Sequence, residues 1–219
     1  TGEENARRAR MAIFAAASAR LRRVVPFDAA AWATNDPVTG LPTAPVRVDD
    51  LDGLNREGCS AHWRREFLVP DVNLFRDLAR ADVPAGGLRA SAGDPTRSPR
   101  YRTFLQPLHL EDELRAVLRV DSAPWGSIAL WRRDRSTPFT RREIRFVAGL
   151  SAPMAAALRL HVRNAGPAGT PVGEQQPGVL TFDVDGHAIS ANEQARAWLD
   201  ELPAAPTLRS DLGIEVPVW

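Results

Sequence analysis

Lysine is absent from this chain, and cysteine is almost so: 219 residues hold one Cys (Cys59), one Tyr (Tyr101) and two Met. Each scarcity removes a class of answer. A single cysteine cannot form an intrachain disulfide, which fits a protein of the reducing cytoplasm. The basic side chains, 28 in number, are all arginine and face 27 acidic ones, for a net charge of +1. So even a balance supplies no bulk field toward nucleic acid or a membrane surface. No apolar run approaches the ~18 residues that a membrane helix needs. Met11 to Ala17 follows a cluster of arginines, but the stretch is short and its spacing is helical, unlike a signal-peptide core. No Gly-x-Ser-x-Gly elbow fixes a serine nucleophile. No catalytic residues, metal ligands or cofactor are expected.

What is present is periodicity. An apolar content of 44% can build a core. Ser127 to Arg133 alternates, with Ile128 and Leu130 on one side and Ser127, Ala129 and Trp131 on the other, which predicts a strand with at least one buried face. Leu114 to Val120 alternates likewise, and Asp121 to Gly126 turns one strand into the other. Phe139-Thr-Arg-Arg-Glu143-Ile144 then supplies a capping box and a hydrophobic staple. These predict a helix over 140–163 packed on an antiparallel pair, 114–120 with 126–132. That helix is apolar on two sides. Ile144, Val147, Met154 and Leu158 form one stripe; Phe146, Leu150, Ala157 and Leu160 form another. The second stripe predicts a homodimer through this helix, through the 3–25 helix, or both.

Upstream, Glu3 to Val25 reads as a helix with Ile13, Phe14, Ala17, Leu21 and Val24 on its inner face. Phe27 to Thr34 and Leu41 to Val48 read as a hairpin, its second strand placed at a sheet edge by Pro42 and Pro45. Two helices are expected to end near Leu68 and Arg80. Pro84 to Gly87 reads as a loop, Leu88 to Ser91 as a short strand, and Ser98-Pro99 as a helix start. The fold class is therefore α+β, an antiparallel sheet flanked by helices. Asn164 to Pro177 is rich in Gly and Pro and predicts a linker over 165–177 between a first domain, 1–164, and a second, 178–219. The second opens with a strand, an Asp185-Gly186 turn, a second strand and a helix capped by Asn192. The roughly twenty residues after it are too few to complete an antiparallel domain, so the second is expected to be truncated.

Phe27 to Thr34 with Asp36-Pro-Val-Thr-Gly40 resembles the first hairpin of a GAF domain. Leu114 to Val120, Trp125 to Leu130 and Phe139 to Glu143 resemble its closing strands and last helix. The aromatic-rich stretches His62 to Leu68 and Asp71 to Leu78 resemble a group of actinobacterial LuxR-type helix-turn-helix regulators. Arginine without lysine, with abundant Ala, Pro and Gly, is the matching bias of a G+C-rich bacterial gene. In that group a GAF-like sensor precedes a PAS-like segment and a DNA-binding domain, and Leu180 to Leu199 resembles the start of the PAS-like part. The resemblance implies signal sensing and dimerisation in a transcriptional regulator, with DNA met only through a domain that this chain does not contain.

The resemblance also says what to look for. Cyclic-nucleotide binders of the family are similar in an Asn-Lys-Phe-Asp-Glu pattern, which a chain without lysine cannot carry. Bilin binders have a Cys followed by His; here Cys59 is followed by Ser60, with His62 one turn away. Relatives that reduce methionine sulfoxide use several cysteines. Haem would need His62 or His109 as an axial ligand. Arg97, Arg100 and Arg102 read either as an anion site at a helix start or as a solvated surface. His109 to Glu113 reads as a solvated turn before a strand. Trp63, Phe67, Phe75, Tyr101 and Phe104 are the large aromatics gathered outside the predicted strands and terminal helices. They read either as core filling or as the lining of a cavity for a small apolar or aromatic ligand. The ionic residues of 62–78 alternate with aromatics and are expected to face water while the rings face in.

Overall fold

The computed structural model describes residues 2–51, 62, 65–134, 137–164, 177–183, 188–200, 207–209 and 215–217. The chain divides into two compact units, Thr1–Ala168 and Gly169–Trp219. Five strands of the first unit form one sheet: β1 (Ala29–Asn35), β2 (Pro42–Asp49), β3 (Ala85–Gly87), β4 (Asp112–Val120) and β5 (Ala123–Arg132). Their order is β2-β1-β5-β4-β3, and every pairing is antiparallel. β4 and β5 are neighbours as expected, with Leu114 opposite Leu130 and Ala116 opposite Ile128. β2 lies at an edge, where its two prolines cost no ladder hydrogen bond. This is the α+β arrangement, an antiparallel sheet flanked by helices, that the GAF resemblance implies.

One sheet face is closed by helices. These are α1 (Gly2–Arg22), α4 (Arg141–Gly149) and α5 (Ser151–Asn164), numbered after the short α2 (Phe75–Leu78) and α3 (Leu88–Ala92). Leu114, Ala116, Leu118, Ile128 and Leu130 bury against Phe14, Leu21, Val147 and Leu158, with the Trp32 ring 6.0 Å from that of Phe14. The period-2 side of the strands meets the period-3.6 side of the helices, which is why both patterns are visible in the sequence. α4 starts as expected. Thr140 Oγ1 accepts from the Glu143 N–H and Glu143 accepts from the Thr140 N–H, while Phe139 and Ile144 enter the same core. No helix among the described residues is long and apolar enough to cross a membrane.

Four expectations need correction. The 140–163 helix is two helices, broken at Leu150. The cause lies in β4. β3 ends its pairing at Ala116, so the outer edge of β4 beyond it has no strand to satisfy it. The buried Ser151 hydroxyl does so instead, donating to Val117 O at 2.7 Å and accepting from Arg119 N at 3.0 Å. Drawing Ser151 onto the strand turns the helix. Next, α1 stops at Arg22, and the turn after it buries Val25 and exposes Val24, the reverse of the helical projection. Third, 85–87 is a strand and 88–92 a helix. The sheet edge is approached so closely there that a Cβ on Gly86 would lie 2.3 Å from Asn73 Oδ1, and one on Gly87 2.8 Å from Ile144 Cδ1. Glycine marks close contact at this place, not a loop. Last, His109 to Glu113 is no solvated turn, since Asp112 and Glu113 are buried in β4.

In the second unit, β6 (Leu180–Phe182) pairs with β7 (Ala188–Ala191), and α6 (Glu193–Asp200) follows. Asn192 Oδ1 accepts from Ala195 N at 2.8 Å, the cap that its side chain predicts. The Asp185-Gly186 turn and the linker over 165–176 lie outside the described residues. The last stretch, expected to be too short to complete an antiparallel domain, holds another antiparallel pair, β8 (Thr207–Arg209) with β9 (Glu215–Pro217).

Asp112 ties the first unit together at one point. Its carboxylate accepts from Phe139 N at 2.7 Å, ahead of α4, and from Arg89 N at 3.2 Å, in the first turn of α3. Asp112→Ala leaves both donors unpaired, which is expected to cost about 2–4 kcal/mol in urea unfolding. Asp112→Asn, which keeps an acceptor oxygen, is expected to cost less.

Candidate functional site

The other sheet face is not closed by long helices. It carries side chains of unlike chemistry in alternation with the apolar face just described. β1 presents Ala29, Ala31 and Ala33. β5 presents Ser127, Ala129 and Trp131. β4 presents Glu113, Arg115, Val117 and Arg119. The segments between β2 and β3 and between α3 and β4 cross over this face.

Where they cross β4 they meet its charges. Glu113 and Arg115 are each 0% exposed. Arg100 Nε donates to Glu113 Oε2 at 2.8 Å, and Arg100 Nη1 lies 3.4 Å from Asp71 Oδ2. Arg115 Nη1 lies 2.7 Å from Glu66 Oε2, and its Nε 3.5 Å from Glu113 Oε1. Trp131 Nε1 completes Glu113 at 3.0 Å. The Phe75 ring covers the Arg115 guanidinium at 3.9 Å. Burial by itself would raise the Glu113 carboxyl, but Arg100 and Arg115 outweigh it and hold the group below the ordinary carboxylate range. Burial likewise opposes the charge on Arg100, and Glu113 with Asp71 overcomes it, raising that guanidinium.

Two adjoining cavities open beside this cluster. The larger, about 500 Å³, lies at the end of the sheet under the β1–β2 and β4–β5 turns. Its apolar wall includes Val38, Leu41, Phe67, Phe75, Val117 and Pro124, and its charged wall is Glu66, Arg76, Arg80 and Arg119. The smaller, about 80 Å³, is lined by Ala31, Val46, Val48, His62, Phe104, Ala129 and Trp131. Phe75 and Ser127 border both. The size of the larger one suits a small molecule. Its wall includes the small Ser127 and Phe75, which stacks on the Arg115 guanidinium.

The five aromatics of the sequence reading are divided among these places. Phe67 and Phe75 line the larger cavity, and Phe75 and Phe104 the smaller. Phe104 is buried, 4.9 Å from the His62 ring and 6.4 Å from that of Trp131. Tyr101 is buried away from both, its hydroxyl donating to Glu111 Oε2 at 3.1 Å. Trp63 lies outside the described residues, as does Cys59. The expected sorting of 62–78, with charges out and rings in, is reversed at its centre. Glu66 is buried on Arg115 and accepts from Phe75 N at 2.7 Å, whereas Phe67 is 39% exposed. Arg100 is neither an anion site nor solvated surface, since Glu113 and Asp71 bury with it. The residues that the sequence reading missed are thus Glu66, Asp71, Arg76, Arg80, Glu113, Arg115 and Arg119. A signal was available for two. Glu113 and Arg115 share a strand face with Val117, next to a face of β5 that bears Ala129 and Trp131, a poor setting for solvated charge.

Loss of hydration, helped by nearby Arg115, pushes the His62 pKa down from 6.5 to about 3. The folded protein therefore holds His62 neutral where the unfolded chain takes up a proton. The resulting stabilisation is complete above pH 6.5 and drains away as pH falls toward 3. His62→Gln is expected to lose about 1–2 kcal/mol less than the parent between pH 7 and pH 4.5 in denaturant titrations. Glu113→Gln removes the anion that Arg100 and Arg115 share but leaves each with one carboxylate, Asp71 and Glu66. A loss of about 1–3 kcal/mol, that of weakened charge-assisted hydrogen bonds, is expected at neutral pH, read from the urea midpoint.

No family profile matches this sequence, and no curated protein matches it. Solved structures similar to it include the GAF domain/HD domain protein from Geobacter sulfurreducens. That protein is 19% identical, with 69% of this chain and 92% of that one covered and a TM-score of 0.48. Escherichia coli SdiA is 13% identical, covering 80% of this chain and 67% of its own, with a TM-score of 0.48. The blue-light absorbing form of the Thermosynechococcus elongatus PixJ GAF domain is 19% identical, covering 72% and 89%, at 0.44. At these scores the likeness is one of coarse outline, and the architecture above stands on this chain's own strands and helices.

Proposed function

We propose that this chain is the signal-sensing and dimerising region of a bacterial transcriptional regulator, one that reaches DNA through a segment outside this sequence. The observation that carries the reading is the division of labour between the two faces of one sheet. A cavity of about 500 Å³ opens on one face. The helices on the opposite face leave Phe146 of α4 42% and Leu160 of α5 56% exposed, while Leu150, expected on the same stripe, packs against the core. Ligand and partner copy then act on the same strands from opposite sides. A ligand that favours one packing of the paired helices shifts the population of dimer states.

An enzyme would need a titratable group free to exchange protons at the cavity. The titratable groups here are committed. Glu66 is held by Arg115 and by the Phe75 N–H. His62 stays neutral down to a pKa of about 3. This supports sensing over turnover.

The dimer is tested by sedimentation velocity on the parent, Phe146→Glu and Leu160→Glu. The parent is expected to dimerise at low micromolar concentration. Each variant is expected to weaken association at least tenfold with its unfolding midpoint little changed, since both sites are exposed. A parent that stays monomeric at high micromolar concentration overturns the dimer reading.

A further inference from the structure

The charges of the larger cavity are lopsided, and the way each is used says what would be recognised there. Glu66 contributes the one carboxylate among the described lining residues, and it is spent on Arg115, 2.7 Å away behind the wall. Arg119 is spent as well, since its guanidinium donates to the carbonyls of Ala79, Ala81 and Asp82. Its charge nevertheless remains at the wall, because backbone carbonyls are dipoles and not counterions. Arg76 and Arg80 are used least. Arg76 Nη1 donates to Phe67 O at 2.9 Å and its Nε lies 3.9 Å from Asp77, which is outside the lining. Arg80 Nη1 donates to Arg76 O at 3.2 Å. A guanidinium has five N–H donors, so both side chains keep several in reserve. Three cations thus line one side of a cavity whose only anion is already neutralised, and Phe67, Phe75, Val117, Leu41 and Pro124 make the rest apolar.

Resting on the sensor reading above, we infer that the cavity takes a small organic carboxylate, with an apolar body against Phe75 and Val117 and its anionic head on Arg80 and Arg76. The fork of an arginine matches a carboxylate in two parallel hydrogen bonds, and the pair is strengthened where the apolar body excludes water. A neutral molecule of the same shape fills the apolar part but leaves the cations as they were. The head is therefore what selects, and its contribution weakens as salt rises, because Arg76 and Arg80 are exposed.

The test uses the whole chain with two pairs of probes, 3-phenylpropanoate with its amide and hexanoate with its amide, by calorimetry and thermal shift at 50 and 500 mM salt. The expected result is that each carboxylate binds at least tenfold more tightly than its amide at low salt, with the gap narrowed at high salt. Arg80→Gln is expected to remove most of the gap and leave amide binding unchanged. Arg76→Gln is the second variant, and Arg119 is left intact because it holds the 79–82 turn. Carboxylate and amide binding equally well would overturn the anionic head while leaving the sensor cavity standing. Binding that is selective but untouched by Arg80→Gln and Arg76→Gln would move the head elsewhere and overturn the assignment. No binding of any probe, with the parent folded, would overturn the inference. Unchanged amide binding after Phe75→Ala would instead count against the cavity reading itself.

Discussion

One carboxylate, Glu113, sits fully buried between two arginines near the start of β4, and the open face of the sheet is arranged around that fact. Arg100 reaches it from the segment before β4, and Arg115 from two residues along the strand. Arg115 in turn recruits Glu66, and Arg100 recruits Asp71, both from the crossing between β2 and β3. A buried ion pair gains little over a well-packed apolar one, but removing a single partner leaves an uncompensated charge. The network is therefore better understood as fixing position than as adding net stability. It fixes where the crossing segments lie on the sheet, and through the stacking of Phe75 on Arg115 it fixes the shared wall of the two cavities.

β4 shows how one strand can serve two unlike environments. Leu114, Ala116 and Leu118 meet helices on one side, and Glu113, Arg115 and Arg119 meet irregular segments on the other. Its outer edge adds a third role. Arg119 donates to the carbonyls of the cavity-side turn with its guanidinium while its amide donates to Ser151 Oγ, where α4 gives way to α5. A single residue thus touches both the cavity wall and the break between the helices that carry Phe146 and Leu160.

The helix-bearing face was legible in the sequence because both of its partners are regular. Period-2 apolar residues in β4 and β5, the Thr140–Glu143 box and the edge prolines of β2 each have one structural meaning. The open face was legible only in part. Alternation tells which residues share a face but not what covers it, and the covering segments follow no repeat. The sorting of Glu66 and Phe67 failed for that reason: helical spacing placed them correctly relative to each other, while the distant Arg115 decided which of the two went in. The Ser151 break was hidden for a similar reason. It answers an unfilled edge on β4, left open because the pairing with β3 ends at Ala85 opposite Ala116.

The floor of the smaller cavity includes small side chains of the sheet, Ala31, Ala33, Ser127 and Ala129, and Ser127 borders the larger cavity as well. Such residues hold the fold through their backbone ladders rather than through side-chain packing. Enlarging one of them reshapes the space above it without disturbing the helix-packed core on the far side of the same strands. The region thus separates what is costly to change from what is cheap, and related chains can differ in the shape of this space while keeping the same scaffold.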